Sequence, residues 1–483
     1  MGFLSGLLLF PVVGVVLLTL LPARFSRITA LLVSLLTFIG TVVLLFSFNT
    51  TITTLQFEEL YQWIPSLGIG FHVGVDHLSI LLVVLSSFLS VLAIGASYGV
   101  EKNLKAYYVC FLFLLATLLG VFVAHDLFLF YVFWELSLFP LYVIIALWGG
   151  ERRVYAAIKM FLYTLFGSIF LLIGIILLSV LVQPHTFDLP TIISLRDTIP
   201  LQFQLLIVVL FSIGFAVKLP LVPVHTWLPD AHVEAPTAGS MLLAGVLLKM
   251  GGYGFLRLVF GLFPQAAVVI AFPLFVIGLV NIVYGAFLAL AQSDLKKLVA
   301  YSSISHMGFV VIGLASLQDI GVQGALFQMI AHGITSPALF FVVGVLYHRT
   351  HSRDIKFYGG IATVMPVFSV LFALTAFASL GLPGLIGFIG EFATLAGGFI
   401  AYGWWVVAGG AGVFLAGMYM LKMVQGVLWG KVADGCKGLK DLTRTEVLVL
   451  VPLVVLMFIG GIAPMLLFKY IQPGVALLVQ LYL

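Results

Sequence analysis

The 483 residues are 63% hydrophobic and 8% charged, with a mean hydropathy of +1.24; a soluble domain carries roughly 25% charged residues, so water is excluded as the main solvent. The formal charge of +4 arises without any basic run, which excludes a nucleic-acid partner. Cys110 and Cys436 stand far apart in no ligand spacing and no glycine-rich nucleotide loop occurs, so neither a cysteine-held cluster or zinc nor a bound nucleotide is expected in this chain.

A helix crosses a bilayer with about 20 apolar residues, and the chain offers about 14 such runs. In order they are 2–22, 27–47, 76–99, 106–124, 126–148, 154–182, 201–225 and 235–260, then 265–291, 297–317, 320–347, 361–396, 398–429 and 446–468. The predicted fold is an all-α polytopic membrane protein. The first run precedes Arg24 and Arg27 rather than following a basic segment, the reverse of a cleaved signal peptide, so it is expected to be a retained helix.

Basic residues gather in the loops after odd-numbered runs: Lys102 and Lys105, Arg152 and Arg153, Lys296 and Lys297, Arg349 to Lys356, and Lys431 to Lys440. The opposite loops carry Glu58, Glu59, Asp126, Asp188, Asp197 and Asp319. The positive-inside rule then places both termini outside. The loop 226–234 is a misfit, holding Asp230 and Glu234 and no Lys or Arg.

Prolines interrupt two runs, at Lys218-Leu219-Pro220-Leu221-Val222-Pro223 and at Gly381-Leu382-Pro383-Gly384. Proline removes a backbone donor, and freed backbone groups persist at membrane depth only against protein or a hydrated cavity. The breaks fall in the seventh and twelfth runs, five apart. This spacing predicts two inverted five-helix repeats, helices 4–8 and 9–13, and a division into residues 1–105, 106–260, 261–430 and 431–483.

An ionisable group deep in a helix costs about 2.5–3.5 kcal/mol on insertion scales, and six such groups occur. Glu135 lies in the fifth run, Lys218 at the first break, Lys249 near the middle of the eighth run, His306 and His332 in the tenth and eleventh, and Glu391 just past the second break. A static ion pair accounts for Glu135 with Lys218, a backbone-bonded plug for Lys249 or Glu391, and a neutral core histidine for either His. Taken together, side chains that burial drives towards neutral pKa values, with hydrated breaks between them, form what a proton path requires. Two unit charges about 4 Å apart interact by roughly 4 kcal/mol at an effective dielectric near 20. Moving one charge through 100 mV costs about 2.3 kcal/mol, so an opening and closing ion pair has the energy to drive a proton uphill. His225 and His232, seven residues apart after the first break, suit a loop brace or a proton intake better than a metal, and Pro236 with Thr237 should start the next helix. A b-type cytochrome would need paired axial histidines on two helices, and a passive scaffold leaves the titratable row unexplained.

The segments GFAVKLPLVPVHTWLPDAHVEAPTAGSMLLAGVLLKMGGYGFLR (214–257), DLKKLVAYSSISHMG (294–308) and FYVFWELSLFPLY around Glu135 resemble the proton-conducting antiporter-like subunits of respiratory complex I. Glu391, where the sibling L and N subunits and the D subunit of Mrp antiporters carry Lys, makes the chain most similar to the M-type subunits of NADH:quinone oxidoreductase. The resemblance implies that Glu135 and Lys218 form a modulating pair, that Lys249 is the central carrier, and that His306 and His332 link it to Glu391. It also implies that flavin, iron–sulfur clusters and quinone sit in partner subunits, that L- and N-type siblings and lipids are neighbours, and that the membrane is an energy-transducing one such as a bacterial inner membrane. A Mrp-type cation/proton antiporter, a membrane-bound hydrogenase or a ferredoxin- or deazaflavin-linked complex stays open as the assembly.

Overall fold

The computed structural model describes residues 2–97, 99–100 and 102–482. The apolar runs form helices because only within a helix does each segment satisfy its own backbone in lipid. They are α1 (Phe3–Leu20), α2 (Ser26–Ser47), α3 (Ile80–Gly95), α4 (Leu104–Val123), α5 (Leu127–Trp148), α6 (Arg153–Leu181) and α7 (Leu201–Lys218, resuming at Trp227–Glu234). There follow α8 (Thr237–Phe260), α9 (Pro264–Ala291), α10 (Leu295–Ala315), α11 (Asp319–Thr350), α12 (Pro366–Ser379 and Ile386–Tyr402), α13 (Val407–Leu428) and α14 (Arg444–Ile462). Among the described residues, 13 helical segments are long and apolar enough to cross a membrane; α3 and the first half of α12 are shorter apolar helices.

Three boundaries differ from the sequence reading. The run 446–468 is two helices, α14 and a further α15 (Met465–Val479), because Pro464 cannot extend α14 and instead caps the next helix. The second half of α12 runs on to Tyr402 and is stopped by Gly403 at φ +60°, a left-handed conformation that suits glycine. Residues 56–75, outside every apolar run, form an antiparallel hairpin, β1 (Gln56–Ile64) with β2 (Ile69–Val75), in which Tyr61 faces Phe71 and Glu59 faces Val73.

The hairpin is fastened to the ends of neighbouring helices. Asp126 caps α5 by accepting from Phe128 and Leu129 N–H and also accepts from Gly70 N–H of β2 at 3.0 Å. His72 lies between two carboxylates, its Nδ1 at 2.5 Å from Asp188 and its Nε2 at 2.9 Å from Glu58. Burial alone would lower the His72 pKa, but the bonds and charges of Asp188 and Glu58 outweigh it and raise it above 6.5. Burial would likewise raise Asp188, and His72 with Thr191 outweighs that, holding it below 3.8.

The misfit loop has a local explanation. Asp230 pairs with Lys159 of α6 at 2.7 Å, and Glu234 accepts from Arg152 N–H at 2.9 Å, so both carboxylates answer basic or backbone groups on the same face.

At the centre stand α8, α10 and α11. In their apolar windows 94%, 94% and 100% of residues are buried, against 33% for α1 and α2. Small residues permit this approach: a Cβ on Gly285 of α9 would lie 2.8 Å from Ser305 N of α10, and one on Gly308 would lie 2.6 Å from Gly278 O.

Candidate functional site

Both breaks occur where proline and glycine required them, and the first is braced rather than left open. Asn281 of α9, fully buried, accepts from Val222 N–H at 2.6 Å and donates to the Pro220 and Ile304 carbonyls at 3.3 and 3.1 Å. One side-chain amide thus satisfies backbone freed by the proline break and ties α7 to α9 and α10. Trp227 Nε1 donates to the Val217 carbonyl at 2.9 Å, joining the two halves of α7.

Lys249 occupies the middle of α8 and is fully buried. The helix around it is irregular: π-helical turns at Leu243–Leu247 and Phe255–Phe260 flank an α-helical stretch. π-turns loosen the regular ladder and recur at functional sites. Here the Ala244 carbonyl, five residues before Lys249, accepts from its Nζ. On the other side Nζ lies 2.6 Å from His332 Nδ1 of α11.

From His332 the row continues. Its ring centroid lies 5.6 Å from that of His306 on α10, and its Nε2 has no hydrogen-bond partner among the described residues. His306 Nδ1 lies 2.8 Å from Glu391 Oε1 on the second half of α12, and its Nε2 lies 3.4 Å from Ser379 Oγ on the first half. Gln328 Nε2 of α11 donates to the same Glu391 oxygen at 3.3 Å. Gly381 lies at φ +79° in the break, and a Cβ there would lie 2.8 Å from the other carboxylate oxygen. Four of the six expected side chains, from α8, α11, α10 and α12, therefore form one buried row with a single gap between the two imidazoles.

Glu135 and Lys218 are neighbours in charge but not in direct contact; among the described residues no ion pair joins them. Lys218 is the last residue of the first half of α7, where the helix dipole favours a cation, and its Nζ lies 5.1 Å from the centroid of the Trp134 ring, an attraction between cation and ring face. Among the described residues neither Lys218 Nζ nor Glu135 Oε1 has a hydrogen-bond partner. The expected pair is thus apart in this conformation, each member keeping unused bonding capacity.

Sequence reasoning missed three contributors. Lys296, counted as a loop charge, is buried and donates to the Ala235 carbonyl at 2.6 Å; its place two residues after the Asp294 cap of α10 was the available sign. Gln328 and Tyr419 carry no charge, so the search for intramembrane ions passed over them. Fully buried Tyr419 has an unpartnered hydroxyl and is an electrostatic neighbour of Glu391. His232 stacks on Phe340 at 4.3 Å with both ring nitrogens unpartnered, whereas His225 meets Tyr284 edge-on at 5.6 Å. Among the described residues no group of three or more His, Cys, Asp or Glu is placed to hold a metal.

The fold is shared with known proteins. Residues 124–418 match the family described as NADH:quinone oxidoreductase/Mrp antiporter, TM, and residues 7–124 that described as NADH-ubiquinone oxidoreductase chain 4, amino terminus. NADH-quinone oxidoreductase subunit M of Rickettsia prowazekii (strain Madrid E) is 44% identical over 443 residues, 91% of this chain and 90% of that one. The chain belongs to the NADH-quinone oxidoreductase subunit M family. Subunit M is a proton-translocating membrane-arm subunit, so this chain is one component of a proton-translocating oxidoreductase. A chain of respiratory complex I from Thermus thermophilus with bound NADH superposes with a TM-score of 0.91 at 29% identity, covering 99% of both chains. The Mrp complex from Dietzia sp. DQ12-45-1b shares the fold at 24% identity and a TM-score of 0.87, covering 98% of this chain and 52% of that one.

Proposed function

We propose that this M-type subunit moves protons between Lys249 and Glu391 through His332 and His306, with Glu135 and Lys218 setting the charge on Lys249 from the first half of the chain. The observation that carries the reading is the row itself: Lys249 to His332 at 2.6 Å, His332 to His306 at 5.6 Å between rings, and His306 to Glu391 at 2.8 Å. Each member exchanges a proton without leaving its helix, and a water in the His332–His306 gap would bond the free Nε2. Lys296 and His232 interact electrostatically with one another, and His232 with Lys249, which supports intake from the basic-loop face. Glu391 beside the second break supports release towards the hairpin face. The two breaks, five crossings apart, support inverted repeats of helices 4–8 and 9–13.

In this reading the basic loops face the cytoplasm of a bacterial inner membrane and both termini face outside. Flavin, clusters and quinone belong to other subunits, with L- and N-type siblings alongside in the membrane arm. The test is Lys249→Ala in the assembled complex, in vesicles whose basic-loop face is outward. NADH should then drive less interior acidification per electron, with slower coupled turnover and intact assembly. A normal proton-to-electron ratio would remove Lys249 as the carrier, and interior alkalinisation by the unaltered complex would reverse the orientation.

A further inference from the structure

On the hairpin face, away from the proton row, a cavity of about 290 Å³ lies between the end of α8, the segment after α6 and the terminal helix α15. Its lining includes Ile193, Arg196, Leu256, Arg257, Leu477 and Leu481. The two arginines differ. Arg257 is spent: two of its nitrogens reach the Asp76 carboxylate at 2.7 Å and its Nε donates to the Tyr253 hydroxyl at 3.2 Å. Asp76 is thereby neutralised. Arg196 is not spent. Its side chain is 17% exposed, its one ion partner among the described residues is Asp197 at 3.9 Å, and the Asp197 side chain is itself 88% exposed. No side-chain hydrogen bond holds the guanidinium among the described residues.

A largely buried guanidinium without an acceptor is costly, and its planar fork matches a phosphate better than any other common anion. Beside it the rim is apolar and open: Leu477 is 51% exposed and Leu481 36%. A free anion would use the arginine and waste that rim; an amphiphile would use both. Leu477 and Leu481, four residues apart, point to the same side of the terminal segment, as an acyl chain lying along it would need.

We infer that this cavity holds a phospholipid of the leaflet on the hairpin face, its phosphodiester on Arg196 and an acyl chain along Leu477 and Leu481. The lipid clasps α15 to the loop after α6. It supplies the acceptor that Arg196 lacks and covers leucines that water would otherwise meet.

The experiment uses the whole complex in vesicles containing a phosphatidylglycerol with a photoreactive acyl chain. After illumination, the labelled peptides of residues 465–482 are quantified in unaltered, Arg196→Gln, Arg196→Lys and Asp197→Asn complexes, each checked for assembly. Labelling should fall at least fivefold in Arg196→Gln, fall by less in Arg196→Lys, which keeps the charge but not the fork, stay within twofold in Asp197→Asn, and persist in 100 mM inorganic phosphate. Unchanged labelling in assembled Arg196→Gln would overturn the lipid site. Displacement by inorganic phosphate would replace it with a small-anion site. Cross-linking of these peptides to a partner subunit instead of lipid would make the cavity a protein interface.

Discussion

The second break offers a substitution pair that separates backbone strain from proton transfer. Gly381 and Gly384 both lie in the left-handed region, at φ +79° and +91°. An alanine at either position incurs the same conformational cost, roughly 1–2 kcal/mol. They differ in what the new methyl meets: at Gly381 it would lie 2.8 Å from Glu391 Oε2, and at Gly384 nothing lies within 4 Å. Gly381→Ala therefore also turns the carboxylate away from His306, now 2.8 Å distant. A hydrogen bond to a charged group contributes about 1.5–3 kcal/mol; at about 1.36 kcal/mol per decade, its loss reduces transfer between His306 and Glu391 by roughly 10- to 150-fold. The assay is the proton-to-electron ratio of purified, assembled complex in proteoliposomes. Gly384→Ala should pump at close to the normal ratio even if less complex assembles, whereas Gly381→Ala should lose pumping at equal assembly. If the two variants behave alike, in either direction, strain alone explains the glycines and Glu391 is not positioned by the break.

Glu135→Gln and Lys218→Ala should each slow coupled turnover, and the double variant should lose less than the product of the two, because each group feels the other's charge; multiplicative losses in assembled complex would show that the two act separately. The His72 clasp predicts a pH window for the hairpin. A raised histidine pKa adds stability that is complete below 6.5 and is lost as pH rises through the raised value. The lowered Asp188 pKa adds stability present above 3.8 and lost as pH falls through the lowered value. Amide exchange over β1 and β2, corrected for intrinsic rates, should be slowest near pH 6.5 and faster by pH 8.5. His125, whose ring lies 5.9 Å from that of His72, works the other way: burial lowers its pKa to about 4, so its contribution is complete above 6.5 and lost as pH falls, and His72→Gln should remove the loss of protection towards pH 8.5. Equal protection factors at both pH values in the unaltered protein would count against the clasp.

Sequence was most informative where membrane physics leaves few choices. An apolar run of 20 residues has one way to satisfy its backbone, so the crossings and both proline breaks were legible. Lys249, His332, His306 and Glu391 were legible for the same reason, since a charge or imidazole in lipid needs a purpose. Outside the membrane the choices widen. The hairpin has no strict alternation, its exposed stretch including Leu60, Tyr61 and Trp63, and the loop search had read only its charges. The division between α14 and α15 hung on Pro464 inside an unbroken apolar stretch. Lys296 was hidden because hydropathy reports how far along a helix a residue lies and not which way it faces. The separation of Glu135 from Lys218 depends on Trp134 and the end of the α7 half-helix, a competition that no spacing rule encodes.

The near-complete burial of α8, α10 and α11 bears on how the chain is made. A ribosome delivers helices to the bilayer one after another, and α8 arrives with Lys249 before α10 and α11 have been synthesised to cover it. Until then the lysine faces lipid or the insertion machinery, at about 2.5–3.5 kcal/mol on insertion scales. The helices that hold the buried row of Lys249, His306 and His332 are thus the least able to stand alone. Glycine-mediated packing of α9 on α10, and then of α11 over α8, brings the waiting amine to His332. A defect in a lipid-facing helix such as α1 should leave that step intact, whereas a bulky residue at Gly245, where a Cβ would meet Leu89 at 2.4 Å and Pro337 at 2.9 Å, should strand the subunit half-closed and expose it to membrane proteolysis.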